Sequence, residues 1–243
     1  MKGVILAGGL ATRLRPLTYV TSKQLLPVYD NPMIFYPIET LVRADIKEIL
    51  IVVSPEFAGH YLNLLGTGKD FGAHFSFVVQ SEPGGLPEAF IYGADFIDND
   101  YVTLILGDNI FDYDFSKHIK DFKGGGQIYA KKVHDPERFG VVEFDENMKV
   151  ISIEEKPQNP KSNYAVVGIY TFDSRVVGYA KNLKPSERGE LEIVDLHNVY
   201  LKNNELRVDV IDGIWEDAGT FDSLLRAGNI MAEKARLIQK EEK

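Results

Sequence analysis

A doubly wound, mostly parallel, Rossmann-like α/β fold is predicted for this chain by three observations. Continuously apolar runs at 4–7, 49–53 and 101–106 read as strands buried on both faces. Helical patterns separate them in the order β, loop, α, β, α, β, α, β, which calls for right-handed crossovers. Beyond position 126 the texture becomes β-rich, which makes the sheet mixed.

Taken in order, the first strand runs straight into Gly8-Gly9 and then Thr12, Arg13 and Arg15. Two glycines let the backbone turn freely and let another molecule approach closely. Bare N–H groups followed by guanidinium groups suit phosphate oxygens. The spacing is neither G-x-G-x-x-G nor a P-loop. Pro16 argues for a long loop instead of a helix. A Gly-Gly pair alone is an ordinary turn; together with Thr-Arg and Lys23 it points to phosphate binding. A helix is expected over 33–44, kinked at Pro37, then a strand over 47–54. Pro55 opens a helix to 65, 75–80 is a strand, and 86–97 a single helix.

The fourth strand, 101–106, leads into Gly107-Asp108-Asn109. Antiparallel strands are expected at 127–133, 139–144, 150–155 and 164–172, partly extending the sheet and partly building a second lobe. Helices follow at 175–182 and 190–202, the latter with Glu190 and Glu192 favoured near its N-terminus. After a strand at 206–211 and an extended piece at 214–217, Thr220 can cap a last helix ending in a solvated tail, 240–243. One domain is expected over 1–243: a nucleotide-binding part over about 1–110, a sugar-phosphate-binding part over about 111–219 and a terminal helix over about 220–243.

The chain has 243 residues, 44% of them hydrophobic, enough for one large core. Its 27 basic and 36 acidic side chains give a net charge of −9, which disfavours nucleic acid as a partner. With no cysteine, disulfides, thiolate catalysis and Cys-ligated zinc are excluded. The five histidines show no metal-binding spacing. No run resembles a signal h-region or a membrane span, so no membrane partner and a cytoplasmic location are expected.

In open α/β sheets ligands sit beyond the C-terminal strand ends. Gln80 ends a strand beside Pro83-Gly84-Gly85, and its amide offers a donor and an acceptor suited to a base edge. Standing alone, it would be a polar strand terminus. Asp108 could cap a turn, or it could join Asp217 in holding Mg²⁺ with phosphate oxygens and water. Neither aspartate has a basic neighbour in sequence. Glu155 could accept from sugar hydroxyls and Lys156 could face a phosphate, although such a pair is commonly a surface ion pair.

Six ordered motifs carry a resemblance: Gly8-Gly-Leu-Ala-Thr-Arg-Leu-Arg-Pro16, Lys23-Gln-Leu-Leu-Pro-Val-Tyr-Asp30, Leu106-Gly-Asp-Asn109, Pro136-Glu-Arg-Phe-Gly-Val-Val142, Glu154-Glu-Lys-Pro157 and Arg188-Gly-Glu-Leu-Glu192. From Gly3 to about Leu225 the chain resembles the sugar-1-phosphate nucleotidylyltransferases. The resemblance implies Mg²⁺-dependent transfer of dTMP from dTTP to glucose 1-phosphate, giving dTDP-glucose and pyrophosphate, in a homo-oligomer (dimer or tetramer). It places Leu6, Gly8, Gly9, Arg13, Lys23, Gln24, Gln80, Pro83, Gly85 and Asp108 around the nucleotide. Leu86, Asn109, Phe139, Gly140, Glu155, Lys156, Val166 and Trp215 go around the sugar phosphate, and Asp108 and Asp217 on the metal. Arg13, Lys23, Asp108, Lys156 and Asp217 are the implied catalytic set.

Ala11 stands where the family usually has glycine, and Phe139 where tyrosine is common. The chain ends after one helix where longer members have a helical extension, so a short form with weak or no allosteric inhibition by dTDP-sugars is expected. A uridylyltransferase of the same fold is the alternative, since one methyl separates thymine from uracil. A non-catalytic nucleotide-sugar-binding subunit ranks below it because all the cations and carboxylates are present. A dinucleotide-dependent dehydrogenase lacks its glycine fingerprint.

Overall fold

A computed structural model describes residues 1–241. Its strands and helices follow in order as β1 (Lys2–Ala7), β2 (Pro27–Val28), β3 (Asn31–Pro32), α1 (Phe35–Arg43), β4 (Glu48–Val53), α2 (Ala58–Leu65), β5 (His74–Val79), α3 (Glu88–Tyr92), α4 (Ala94–Ile97), β6 (Val102–Leu106) and β7 (Asn109–Phe111). They continue as α5 (Ser116–Asp121), β8 (Gly126–Lys132), β9 (Gly140–Phe144), β10 (Val150–Glu155), β11 (Tyr164–Phe172), α6 (Val176–Lys181), α7 (Ile193–Lys202), β12 (Leu206–Val210), β13 (Trp215–Asp217) and α8 (Phe221–Glu241).

The fold is mixed α/β around a nine-stranded, mostly parallel central sheet. Strands β5, β4, β1 and β6 run parallel side by side. The next strand, β11, is antiparallel to β6 and pairs on its other edge with β8. Where β6 ends, β11 continues and takes up β9, which carries β10. One expectation is corrected here: β8 is not wholly antiparallel in its pairing, because β12 lies parallel to it.

Apolar side chains alternate across the inner strands. Val4, Leu50, Val52 and Leu104 pack under α3, α6 and α7. Ile5, Ile49, Ile51 and Ile105 pack under α1 and α2. Both faces are therefore covered, which is why these strands read as unbroken apolar runs.

Several boundaries differ for physical reasons. Pro37 lies in the first turn of α1, where its missing N–H has no intrahelical partner to lose, so no kink is needed there. The helix expected over 86–97 is two pieces broken at Gly93, whose Cβ position would lie 2.9 Å from the Ala89 carbonyl oxygen and 3.0 Å from Leu50. The helix expected from 190 starts at Ile193. Glu190 lies ahead of it, and Glu192 occupies the N-cap with an extended backbone. Strand β7 and helix α5 had no separate signal.

Thr220 and Ser223 cap α8 reciprocally. Thr220 Oγ1 accepts from the Ser223 N–H at 3.2 Å, and Ser223 Oγ accepts from the Thr220 N–H at 3.0 Å. Of the expected solvated tail, residues 242–243 lie outside the described residues. Among the described residues no helix is long and apolar enough to cross a membrane.

His197 on α7 is fully buried, stacked against Phe172 with ring centroids 5.8 Å apart, and among the described residues neither ring nitrogen has a partner. Burial alone pushes its pKa down to about 3. A folded pKa below the unfolded value means stability is lost as pH falls below about 6.5. His197→Leu is accordingly expected to gain about 2 kcal/mol relative to wild type between pH 7.5 and pH 5. Denaturant titrations at the two pH values check this; parallel losses in both proteins would refute it.

Candidate active site

The cleft opens where β1 and β6 end, with β11 and the start of α7 forming its far wall. Its volume is about 380 Å³, within the usual range for small-molecule sites. From the nucleotide set, Leu6, Gly9, Arg13, Lys23, Gln24 and Asp108 line it. From the sugar-phosphate set, Leu86, Asn109, Phe139, Gly140, Glu155, Lys156, Val166 and Trp215 do so, together with Asp217. Gly8, Gln80, Pro83 and Gly85 are not in its wall. Gly8 instead backs against Gln80, whose Oε1 would lie 2.7 Å from a Cβ there.

The glycine loop is built from short 3₁₀ turns over Thr12–Leu14, Leu17–Tyr19 and Lys23–Leu25. Ala11 itself adopts the left-handed conformation, φ 49° and ψ 38°, that a glycine would take without strain. Arg13 projects exposed from the first turn. Gln24 is buried, and its Oε1 accepts from Ser22 Oγ at 2.8 Å and Tyr61 OH at 3.2 Å.

Two carboxylates distant in sequence meet because β13 pairs antiparallel with β7, setting Asp217 opposite Asn109. The Ala218 N–H donates to the Asp108 carbonyl at 2.9 Å and closes the junction. The basic partner that Asp108 lacks in sequence comes from the loop: Lys23 Nζ forms an ion pair with Asp108 Oδ2. Their side chains are only 12% and 13% exposed. Burial pushes the Asp108 carboxyl up, but the Lys23 charge and hydrogen bond outweigh it and hold Asp108 below its ordinary value. Asp217 goes the other way. Burial and then the Asp108 charge raise it to about 6, against the pull of Lys23 and Arg13. Asp217 Oδ1 is buried without a hydrogen-bond partner among the described residues.

Asn109 connects this corner to the far wall. Its Oδ1 accepts from Trp215 Nε1 at 2.7 Å and from the Gly168 N–H at 3.2 Å. A Cβ at Gly168 would lie 2.5 Å from that oxygen, so glycine is required where the β11 register shifts. Phe139 packs against Trp215 with the ring centroids 5.2 Å apart and the planes tilted by 56°. Lys156 holds a strained φ of 43° and donates its N–H to the Phe139 carbonyl at 2.9 Å. Its ammonium lies 3.3 Å from Glu155 and is half exposed to the cleft.

Some lining residues carry no separate prediction. Arg138 follows from the Pro136–Val142 motif, and its guanidinium lies over the Phe139 ring. Gly168 and Tyr170 sit inside an apolar run and gave no signal. At the start of α7, Arg188 pairs with Glu192 at 2.7 Å. The Leu191 N–H donates to the Gly84 carbonyl at 2.7 Å, stitching the 81–86 turn to this wall.

A cleft with cations on both sides and a buried carboxylate pair suits two phosphate esters held close together. Residues 2–234 match the nucleotidyl transferase family. A glucose-1-phosphate thymidylyltransferase of Neisseria meningitidis serogroup A / serotype 4A is 51% identical over 237 residues, 95% of this chain and 82% of that protein. A Bacillus anthracis crystal structure described under the same enzyme name, in complex with a sucrose, superposes with a TM-score of 0.90. It has 48% identity and covers 95% of this chain and 94% of that one. A UDP-glucose pyrophosphorylase structure shares the fold, with a TM-score of 0.84 at 23% identity over 96% and 98% of the two chains. With the match spanning nearly the whole sequence, the chain belongs to the nucleotidyl transferase family.

Proposed function

We propose that this protein is a glucose-1-phosphate thymidylyltransferase. One observation carries the reading: a single cleft holds Arg13, Lys23 and the Asp108–Asp217 pair on one side and Glu155–Lys156 on the other. That is the charge distribution required by a nucleoside triphosphate meeting a sugar phosphate. Relatives about half identical over 95% of the chain bear the name of that activity.

In the reaction a phosphate oxygen of glucose 1-phosphate attacks the α-phosphorus of dTTP. A new P–O bond forms as the α–β bond breaks, and pyrophosphate leaves with the electron pair. The attacking oxygen is already anionic, so no general base is required. The protein overcomes repulsion between two polyanions and aligns them in line. Arg13 and Lys23 neutralise the triphosphate, while Lys156 holds the sugar phosphate. Glu155 accepts from sugar hydroxyls, and Trp215 and Phe139 wall the sugar. The orphaned Asp217 Oδ1, in the corner that Asp217 shares with Asp108, fits an oxygen-loving divalent ion. Mg²⁺ bound there would stabilise charge building up on the phosphate oxygens.

A cytoplasmic setting accords with a free nucleoside triphosphate as substrate. A homo-oligomer belongs to the same reading: Phe221 and Leu225, one turn apart on α8, are 47% and 66% exposed, as a surface for a second copy would be. Pyrophosphate release measured across dTTP, UTP, dCTP and ATP with several hexose 1-phosphates tests the activity. The dTTP and glucose 1-phosphate pair is expected to have the highest kcat/KM. A preference for UTP would reassign the base, and no release with any pair would overturn the reading.

A further inference from the structure

The amide just beyond β5 is held by a carboxylate on α3. Gln80 is 4% exposed. Glu88 Oε2 accepts from Gln80 Nε2 at 2.7 Å and from the Gly84 N–H at 2.8 Å. An ionised carboxylate can only accept, so chemistry dictates that the amide nitrogen faces Glu88 and the oxygen faces away. That oxygen points along Gly8, where even one Cβ would crowd it at 2.7 Å. Among the described residues Gln80 Oε1 accepts no hydrogen bond and is not a fully buried orphan. The turn beyond is equally constrained: Gly85 has φ 111°, and a Cβ there would lie 2.1 Å from the Leu191 carbonyl oxygen.

An unrestrained glutamine amide reads either sense of a base edge by rotating half a turn. It meets an N3–H beside a carbonyl with its oxygen, or a bare N3 beside an amino group with its nitrogen. We propose that Glu88 is a specificity-positioning residue that locks Gln80 in the oxygen-forward sense. The site then takes pyrimidines carrying N3–H and rejects cytosine. This rests on the reading of Gln80 as the base contact.

The Gly84 N–H makes the lock robust. A glutamine at position 88 must turn its own oxygen toward that N–H, because its NH₂ group would meet it donor to donor. The same oxygen then still accepts from Gln80. Glu88→Gln should therefore keep the discrimination and Glu88→Ala should lose it.

Steady-state kinetics with dTTP and dCTP on wild type, Glu88→Ala, Glu88→Gln and Gln80→Ala test this. In Glu88→Ala the dTTP-to-dCTP ratio of kcat/KM is expected to fall by about 10- to 100-fold, as expected when a well-paired polar contact is freed. The change should appear as a lower KM for dCTP, with the KM for dTTP, kcat and the KM for glucose 1-phosphate little altered, and Glu88→Gln should keep the ratio. The ratio is independent of the folded fraction, so a destabilised variant still reports. A ratio unchanged in Glu88→Ala, or lost equally in Glu88→Gln, overturns the proposal. If Gln80→Ala leaves the KM for dTTP unaltered, the base-contact reading fails instead; if it raises that KM while Glu88→Ala keeps the ratio, only the role of Glu88 fails.

Discussion

Asp108→Asn and Asp217→Asn should each remove most of the turnover, about 10²–10³-fold, while moving stability in opposite directions. The asymmetry follows from the buried corner. Asp108→Asn takes the partner from Lys23, whose side chain is 12% exposed, and leaves an ammonium poorly solvated. Asp217→Asn removes a carboxylate that burial and Asp108 make costly to ionise. The Asp217 pKa is raised in the fold, so its proton stabilises the folded state at low pH, and that contribution is lost as pH rises through about 6. In chelator, the advantage of Asp217→Asn over wild type should be near zero at pH 4 and grow to roughly 2 kcal/mol by pH 8. Asp108→Asn should be less stable than wild type throughout. Denaturant titration across this range reads both signs, and a stability difference independent of pH would mean that Asp217 is not the strained member. On kcat, the double variant should lose little beyond either single one, because groups serving one cation fail together. Multiplicative losses would separate them.

Arg13→Met is expected to lower kcat/KM for dTTP by about 10²–10³-fold, with the midpoint of thermal unfolding unchanged. Arg13 stands exposed on a 3₁₀ turn and has no hydrogen-bond or ion-pair partner among the described residues, so folding does not depend on it. Its guanidinium nevertheless reaches the Asp217 corner, 3.4 Å from where a Gly219 Cβ would be. Arg13→Lys should recover part of the loss, since the charge survives but the two-pronged geometry does not. Full activity in Arg13→Met would take the first loop out of triphosphate binding. A shifted melting point would assign Arg13 a structural role.

The central strands were legible because burial on both faces leaves a continuous apolar run, and β11 begins and ends at the expected residues; the edge strand β10, exposed at Ile151, also keeps its expected bounds. The break at Gly93 was not legible; a Cβ there would meet the Ala89 carbonyl oxygen and the Leu50 side chain, and the second of these reaches it from β4. At the candidate site, residues beside glycines at strand ends stood out, as Asp108 did. The Lys23–Asp108 pair did not, since tertiary folding alone brings a loop lysine to a distant strand end. Glu88 read as one more helical residue; its relevance lies in what it accepts, which the sequence does not display. Gly168 was hidden inside an apolar strand, and the side chains of Asn109 and Leu106, which leave no room for a Cβ there, explain it.

The tie between the Gly84 carbonyl and the Leu191 N–H joins two cleft walls through main-chain atoms alone. Side chains at Ser81, Glu82, Glu190 and Leu191 can therefore be exchanged without unfastening it. Drift in base or sugar preference along a lineage need not pass through a loosened, inactive intermediate. An engineer seeking a different nucleotide sugar has the same freedom, provided position 85 stays glycine.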